Sequence, residues 1–210
     1  NFYDKMNKSE IEILIPTFNE EGNIEKVVKD LHYEGFNNIT ILDANSIDDT
    51  VTIAKKYDCK ILLDDKNIKG FGGSIINGLK KLDSKYFCIF DGDNSFDPKS
   101  INLMMNEIDN GYDFIFGTRY LDGALSDDDT LLSKFANYFF SKIVRVLFKI
   151  NTTDVLFFFI LGKKENVANL ELKKQDFTIC TEFLIKSYKN FKCKEILSKE
   201  RKRLSGVSKV

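Results

Sequence analysis

An α/β fold with a mostly parallel central sheet flanked by helices is what this sequence predicts, and three observations predict it. Short β-branched or aromatic runs alternate with helix-patterned segments from Glu10 to about Asp113, the signature of repeated βαβ units. Polar or acidic residues follow the apolar runs, at Thr17-Phe18-Asn19-Glu20-Glu21, Asp43-Ala44-Asn45-Ser46, Asp91-Gly92-Asp93 and Gly117-Thr118-Arg119-Tyr120. The chain has 210 residues, 43% of them hydrophobic, enough to bury one sizeable core, so a single domain over 1–210 is expected.

Taken in order, strands are predicted at 11–16, 39–43, 60–63, 86–90 and 114–117, where Ile, Leu and Phe cluster in runs too short for helices. The segments between them, 23–33, 50–57, 73–82 and 99–110, carry apolar residues at helical spacing, and Pro98 suits a first helical turn. Beyond residue 122 the alternation changes. Residues 131–148 form an amphipathic basic helix with Lys134, Lys142 and Arg145, followed by Lys149. Such a helix either packs its apolar face on the sheet or presents it to a membrane surface.

Charge and cysteine content narrow the function classes. With 31 basic against 32 acidic side chains, bulk electrostatics give no reason to expect nucleic acid as a partner. Cys59, Cys88, Cys180 and Cys193 form no Cys-x-x-Cys pair and read as reduced and cytosolic. His32 is the sole histidine, which disfavours a His-based triad or a multi-histidine zinc site. No signal-peptide pattern opens the chain, and the longest apolar stretch, 155–161, falls short of the about 20 residues a membrane helix needs.

Open parallel sheets bind ligands beyond the carboxyl ends of their strands, so the residues after each run carry the chemistry. Asp91-Gly92-Asp93 ends a buried-strand pattern in two carboxylates on a tight turn. Hard cations take oxygen ligands, so this pair suits Mg²⁺ or Mn²⁺ shared with diphosphate oxygens, or else is an acidic helix cap or solvated turn. Asp43 could accept hydrogen bonds from a base or ribose, or cap the following helix together with Asp48 and Asp49. Lys69-Gly70-Phe71-Gly72-Gly73-Ser74 could bring backbone close to a diphosphate at a helix N-terminus, or be a flexible turn. It lacks the ending of a P-loop, and the first βα turn lacks a dinucleotide fingerprint.

In this order the motifs resemble those of family 2 glycosyltransferases, most closely the branch of dolichyl-phosphate mannosyltransferases and related polyprenyl-phosphate glycosyltransferases. The resemblance runs from Ile11 to Val210. It rests on Ile13-Leu14-Ile15-Pro16-Thr17-Phe18-Asn19-Glu20-Glu21, on Asp43-Ala44-Asn45-Ser46 where many members have Asp-Asp-Gly-Ser, on the glycine loop, on Asp91-x-Asp93 and on Gly117-Thr118-Arg119-Tyr120. The ending Arg203-Leu204-Ser205-Gly206-Val207-Ser208-Lys209 also matches.

The resemblance implies a GT-A fold with a nucleotide-binding half at about 10–120 and an acceptor-side half at about 121–210. It implies an inverting, metal-dependent transferase acting on a UDP- or GDP-sugar in cell-surface glycan or glycolipid synthesis, with a glycan or lipid phosphate as acceptor. The place implied is the cytoplasm, peripheral to the cytoplasmic face of a membrane. Pro16, Asn19, Glu20, Asp43 and Gly72 are implied at the donor, Asp91 and Asp93 at the metal, and Arg119, Arg203 and Lys209 at phosphates. Glu182 is the candidate base for a hydroxyl acceptor.

One departure stands out. Lipid-phosphate enzymes follow the aspartate matching Asp154 with a stretch ending Ser-Gly-Phe-Arg, whereas this chain reads Val155-Leu156-Phe157-Phe158-Phe159-Ile160. The arginine is absent, so Lys163, Lys164 or the C-terminal basic residues would have to replace it. Two other classes stay open: a catalytically silent nucleotide-sugar-binding protein, and a sugar-phosphate nucleotidylyltransferase. The latter should carry a glycine-arginine loop where Thr17-Phe18-Asn19-Glu20 stands.

Overall fold

The computed structural model describes residues 5–121 and 131–201, with side chains omitted for 131–136. The strands and α-helices of the described residues follow in order: β1 (Ile11–Thr17), α1 (Ile24–Tyr33), β2 (Ile39–Asp43), α2 (Thr50–Lys55), β3 (Lys60–Leu63), α3 (Gly70–Lys80), β4 (Tyr86–Ile89), α4 (Lys99–Asp109), β5 (Phe114–Thr118), α5 (Leu131–Phe148), β6 (Ile160–Lys163), α6 (Ile179–Asn190) and β7 (Cys193–Leu197). They build a seven-stranded sheet in the order β3-β2-β1-β4-β6-β5-β7. Strand β6 runs antiparallel to both β4 and β5, while every other pairing is parallel.

Helices cover both faces, which is why the strands read as near-continuous apolar runs rather than alternating ones. Successive residues of β1 face opposite sides. Ile13 and Ile15 join Val28, Leu31, Ile101 and Met104 on the α1/α4 side. Leu14 joins Leu42, Ile75, Leu79, Phe87 and Phe183 on the α3/α6 side. The buried residues of α1, Ile24, Val27, Val28 and Leu31, sit at the i, i+3, i+4, i+7 spacing of a single helical face.

The first half agrees with the sequence reading to within three residues at each boundary. Its largest differences are at α3, which begins at Gly70 rather than 73, and at α2, which stops at Lys55. Pro98 caps α4 from just outside it. The second half holds elements that periodicity did not reveal: β6, α6 and β7. The apolar stretch 155–161 forms the loop into β6 and the start of that strand.

Helix α5 departs from the plainer expectation. Its inward residues are Asn137, Ser141 and Val144, two of them polar, whereas Tyr138, Phe139, Phe140, Ile143, Val146 and Leu147 are exposed. Over this described part, most of the large apolar side chains face away from the sheet.

Candidate active site

The strand order places a switch point between β1 and β4. Connections run outward from β1 to β2 and β3, then return to β4 on the other side of β1. Beyond carboxyl ends that diverge in this way lies the crevice where open α/β sheets take ligands. Pairing between the two strands ends at Leu14 with Ile89, and the Phe90 amide donates to Leu14 O at 3.0 Å. Pro16 therefore stands past the end of that ladder, where its missing N–H forfeits no bond to β4.

Into this crevice β4 delivers Asp91-Gly92-Asp93. A Cβ on Gly92 would stand 3.2 Å from Thr17 Cγ2 and 3.3 Å from Pro16 O, so the small residue lets the acidic turn press against the end of β1. Asp93 is buried, and its Oδ1 accepts the Ser95 amide at 2.8 Å, which fixes the turn. Both aspartates line a cleft of about 390 Å³ together with Pro16, Arg119, Asn137 and Glu200. Its other wall is apolar: Leu156, Phe157 and Phe158, and Phe71 stacked on Phe177 at 4.6 Å between ring centroids.

Arg119 follows β5 and is held in place from several sides. Its Nε donates to Asp154 Oδ2 at 2.7 Å and its Nη2 to Asp154 Oδ1 at 3.1 Å, and its Nη1 reaches Glu200 at 3.4 Å. The guanidinium also lies 5.1 Å from the ring centres of Tyr120 and Phe157. Burial works against its charge, but the hydrogen bonds and charge of Asp154 outweigh it and raise the pKa, keeping the side chain cationic. Asn137 Nδ2 donates to Asp154 Oδ1 at 3.0 Å. Glu200 belongs to a segment tied down at Ser198, whose amide donates to Thr118 O at 2.9 Å, and at Arg201, which pairs with Asp30 and Asp97.

Beside the cleft, the turn after β1 and the turn after β2 are knitted together. Asp43 is fully buried; it accepts from Thr17 Oγ1 at 2.9 Å, from the Ser46 amide at 2.8 Å and from Ser46 Oγ at 2.6 Å. Asn19 adopts a left-handed backbone, with φ of 54°. Its amide donates to Ser46 Oγ and its Oδ1 accepts from the Ile47 amide, both at 2.9 Å. Glu20 is buried, with its amide on Thr50 Oγ1 and its Oε2 accepting from Asn23 Nδ2 at 2.7 Å. The N-cap of α2 is Asp49, whose side chain makes no capping bond, while Asp48 just before it accepts the Thr50 amide at 3.0 Å.

The glycine loop is packed against the chain itself. A Cβ on Gly72 would sit 2.4 Å from Lys174 O and 2.8 Å from Asp176 O, and the Gly73 amide donates to Gln175 O at 3.1 Å. The close approach that glycine permits is thus used by the 174–176 backbone, which positions Phe177 on Phe71. Glu182, on the first turn of α6, lies outside the cleft lining. It accepts the Lys173 and Lys174 amides at 2.9 and 2.8 Å and pairs with Lys186. Burial would raise its pKa, but Lys186 and the two amides hold it below the ordinary carboxylate range.

Of the residues singled out from sequence, then, the structure gathers Pro16, Asp91, Asp93 and Arg119 on one cleft, and ties Asn19, Glu20 and Asp43 into the adjoining turns. Gly72 underlies the aromatic wall, and Arg203 and Lys209 lie outside the described residues. Lys163 and Lys164 stand at the opposite end of the sheet: Lys163 is in register with Tyr86, the first residue of β4, and pairs with Asp113 at 2.8 Å, while Lys164 Nζ donates to Leu82 O. They are too far from the rim to replace the missing arginine. Sequence reading missed Asn137, Glu200 and the Phe71–Phe177 stack as cleft residues. Only the family pattern flagged Asp154, and nothing local marked the others.

Two carboxylates on one turn are hard oxygen donors suited to Mg²⁺ or Mn²⁺. No group of three or more His, Cys, Asp or Glu capable of holding a metal occurs among the described residues. The pair fits a cation that takes its remaining ligands from water and a bound diphosphate.

Comparison with known proteins follows the same lines. The sequence model of Glycosyl transferase family 2 matches residues 12–170. The chain is 30% identical over 185 residues to the dolichol-phosphate mannosyltransferase of Pyrococcus furiosus, covering 84% of this chain and 52% of that one, so it spans about half of that relative. It is 28% identical over 202 residues to the UDP-N-acetylglucosamine–dolichyl-phosphate N-acetylglucosaminyltransferase of Methanococcus voltae, covering 86% and 80% of the two chains. Among solved structures, glucosyl-3-phosphoglycerate synthase of Mycobacterium tuberculosis, crystallised with Mn²⁺, UDP-glucose and phosphoglyceric acid, superimposes with a TM-score of 0.74. The identity is 14%, over 92% of this chain and 72% of that one, and the likeness shows a shared GT-A fold.

Proposed function

We propose, from the premise that this chain belongs to glycosyl transferase family 2, that it forms one catalytic domain moving a sugar from a nucleoside diphosphate to a lipid-borne phosphate, with inversion at the anomeric carbon. The observation that carries this reading is the meeting of Pro16, Asp91, Asp93 and Arg119 on one cleft at the switch point of the sheet. In this reading the nucleoside lies along the turns held by Asn19, Glu20 and Asp43. Asp91 and Asp93 hold Mg²⁺ or Mn²⁺, which when bound neutralises charge on the departing diphosphate. Arg119, fixed by Asp154, offers a charge that needs no reorganisation as the leaving oxygens develop theirs. Arg203 and Lys209 add phosphate contacts.

The acceptor assignment draws support from two sides. Both relatives described above are named for dolichyl phosphate. A phosphate monoester, with a second pKa of about 6, is largely ionised at neutral pH and needs no strong base. That agrees with a Glu182 carboxylate engaged elsewhere. Helix α5 supports a lipid surface: its outward side chains from Tyr138 on are largely apolar, Lys142 and Arg145 are exposed beside them, and residues 131–148 contain no Asp or Glu. No described helix is long and apolar enough to cross a membrane. In this reading α5 lies in the plane of the cytoplasmic leaflet.

A thermal-shift panel of UDP-, GDP- and CDP-sugars with Mn²⁺, followed by transfer assays on a short polyprenyl phosphate, tests the proposal. Stabilisation by one donor class and transfer lost in Asp93→Ala are expected. Absence of any donor shift, or unchanged turnover in the variant, overturns it.

A further inference from the structure

Asn137 is 3% exposed and lines the cleft beside Asp91, Asp93 and Arg119. Its Nδ2 donates to Asp154 at 3.0 Å, while its Oδ1 is buried and has no hydrogen-bond partner among the described residues. The orientation of the amide is decided chemically. Asp154 accepts three hydrogen bonds from Arg119, from its backbone amide, Nε and Nη2, so both carboxylate oxygens face donors and the opposite orientation would set a carbonyl oxygen against them. The lone oxygen is therefore a property of the site and not of an arbitrary amide assignment.

A buried acceptor left unpaired is costly, and such groups are rare in folded proteins. The neighbouring described groups do not satisfy it: the aspartates are acceptors, the Arg119 guanidinium directs its N–H groups to Asp154 and Glu200, and the opposing wall is Leu156, Phe157 and Phe158. What the oxygen lacks is a neutral donor brought in from outside. A nucleoside diphosphate sugar carries such donors on its base, its ribose and its sugar ring; with the nucleoside along the turns held by Asn19, Glu20 and Asp43, the hydroxyls of the sugar ring are the ones that come to Asn137, and an ionised phosphate acceptor brings none.

We propose that Asn137 Oδ1 accepts a hydrogen bond from a hydroxyl of the transferred sugar, making Asn137 a residue that selects the donor. The inference rests on the glycosyl-transfer reading and deepens it. The oxygen has almost no exposed area, so the cleft wall yields locally as the sugar enters; side-chain adjustments of this kind are common on binding. Asn137 also bonds Asp154 and thereby connects sugar binding to the group that holds Arg119.

The test is calorimetry on the whole chain with Mn²⁺, using UDP-glucose and GDP-mannose and the 2-, 3-, 4- and 6-deoxy analogue of each. For the donor that binds, removing one particular hydroxyl is expected to weaken wild-type binding about ten- to a hundredfold, the effect of stranding a buried acceptor. In Asn137→Ala, and in Asn137→Leu should the smaller residue loosen the fold, the same deoxy analogue should bind as well as its parent. A uniform loss across parent and analogues, or an undiminished preference for that hydroxyl in both variants, overturns the assignment while leaving the transferase reading intact. Failure of wild type to bind any UDP-, GDP- or CDP-sugar of the thermal-shift panel sinks the transferase reading itself, and this inference with it.

Discussion

Arg119 and Asp154 meet in a two-pronged ion pair, Nε to Oδ2 at 2.7 Å and Nη2 to Oδ1 at 3.1 Å, with the carboxylate fully buried and the guanidinium 13% exposed. The pair joins the end of β5 to the loop before β6 and turns a flexible side chain into a fixed cation on the cleft.

Removing the charge of Asp154 leaves Arg119 buried without its main counter-ion. Asp154→Asn is expected to destabilise the fold by roughly 3 kcal/mol, because breaking one half of a buried pair costs more than the intact pair contributes. Urea denaturation checks this. A change below about 0.5 kcal/mol would mean that Glu200 alone suffices for Arg119.

Gly72 and Gly111 provide a paired test of why each glycine is needed. Gly72→Ala forces a Cβ to within 2.4 Å of Lys174 O, and a cost of about 2 kcal/mol or more is expected, with displacement of Phe177 from Phe71. Gly111 has φ of +92° with nothing within 4 Å of an added Cβ, so Gly111→Ala should cost only the backbone strain, about 1 kcal/mol. Melting temperatures of the two variants, with donor binding as a second measure, separate close approach from conformation.

Helix α5 can be tested on vesicles. Co-sedimentation with anionic phosphatidylglycerol liposomes is expected, falling with added salt, and Lys142→Glu combined with Arg145→Glu should weaken it about tenfold or more, since each basic residue at the surface contributes about 1 kcal/mol. Equal partitioning onto neutral and anionic vesicles would remove the charged half of the docking picture.

Alkaline pH should weaken the fold through its thiols. Burial raises Cys180 from the ordinary 9.0 to about 12, so the native state holds a proton that the unfolded chain releases. Stability contributed this way is intact below pH 9 and is lost as pH climbs from there towards 12, by about 1.4 kcal/mol per pH unit for one such group. Denaturation curves at pH 8 and pH 10.5 should show a smaller drop in Cys180→Ala than in wild type. Identical drops would exclude the thiol as a contributor.

Legibility from sequence followed the physics of each segment. The first half could be read because its strands are buried on both faces and its helices keep one apolar stripe, as Val27, Val28 and Leu31 do in α1. Strand β6 is only Ile160–Lys163 and follows a run of phenylalanines, so neither alternation nor length set it apart from a buried helix. At the site, Asp91 and Asp93 were visible because two acids end an apolar run. Asn137 was not, since an asparagine inside an amphipathic helix gives no local sign of what it faces. Glu200 reaches the cleft through the Ser198 and Arg201 tethers, which are tertiary and leave no periodic trace.

Strands β4 and β5 share no ladder, because β6 is inserted between them with its direction reversed. During synthesis the ribosome therefore releases β1 to β5 well before the strand that joins them exists. Until residues 160–163 emerge, the growing polypeptide holds a four-stranded fragment and a stray β5, each with an unsatisfied edge open to mispairing. Closing that gap links positions far apart along the chain, which places this pairing late in folding.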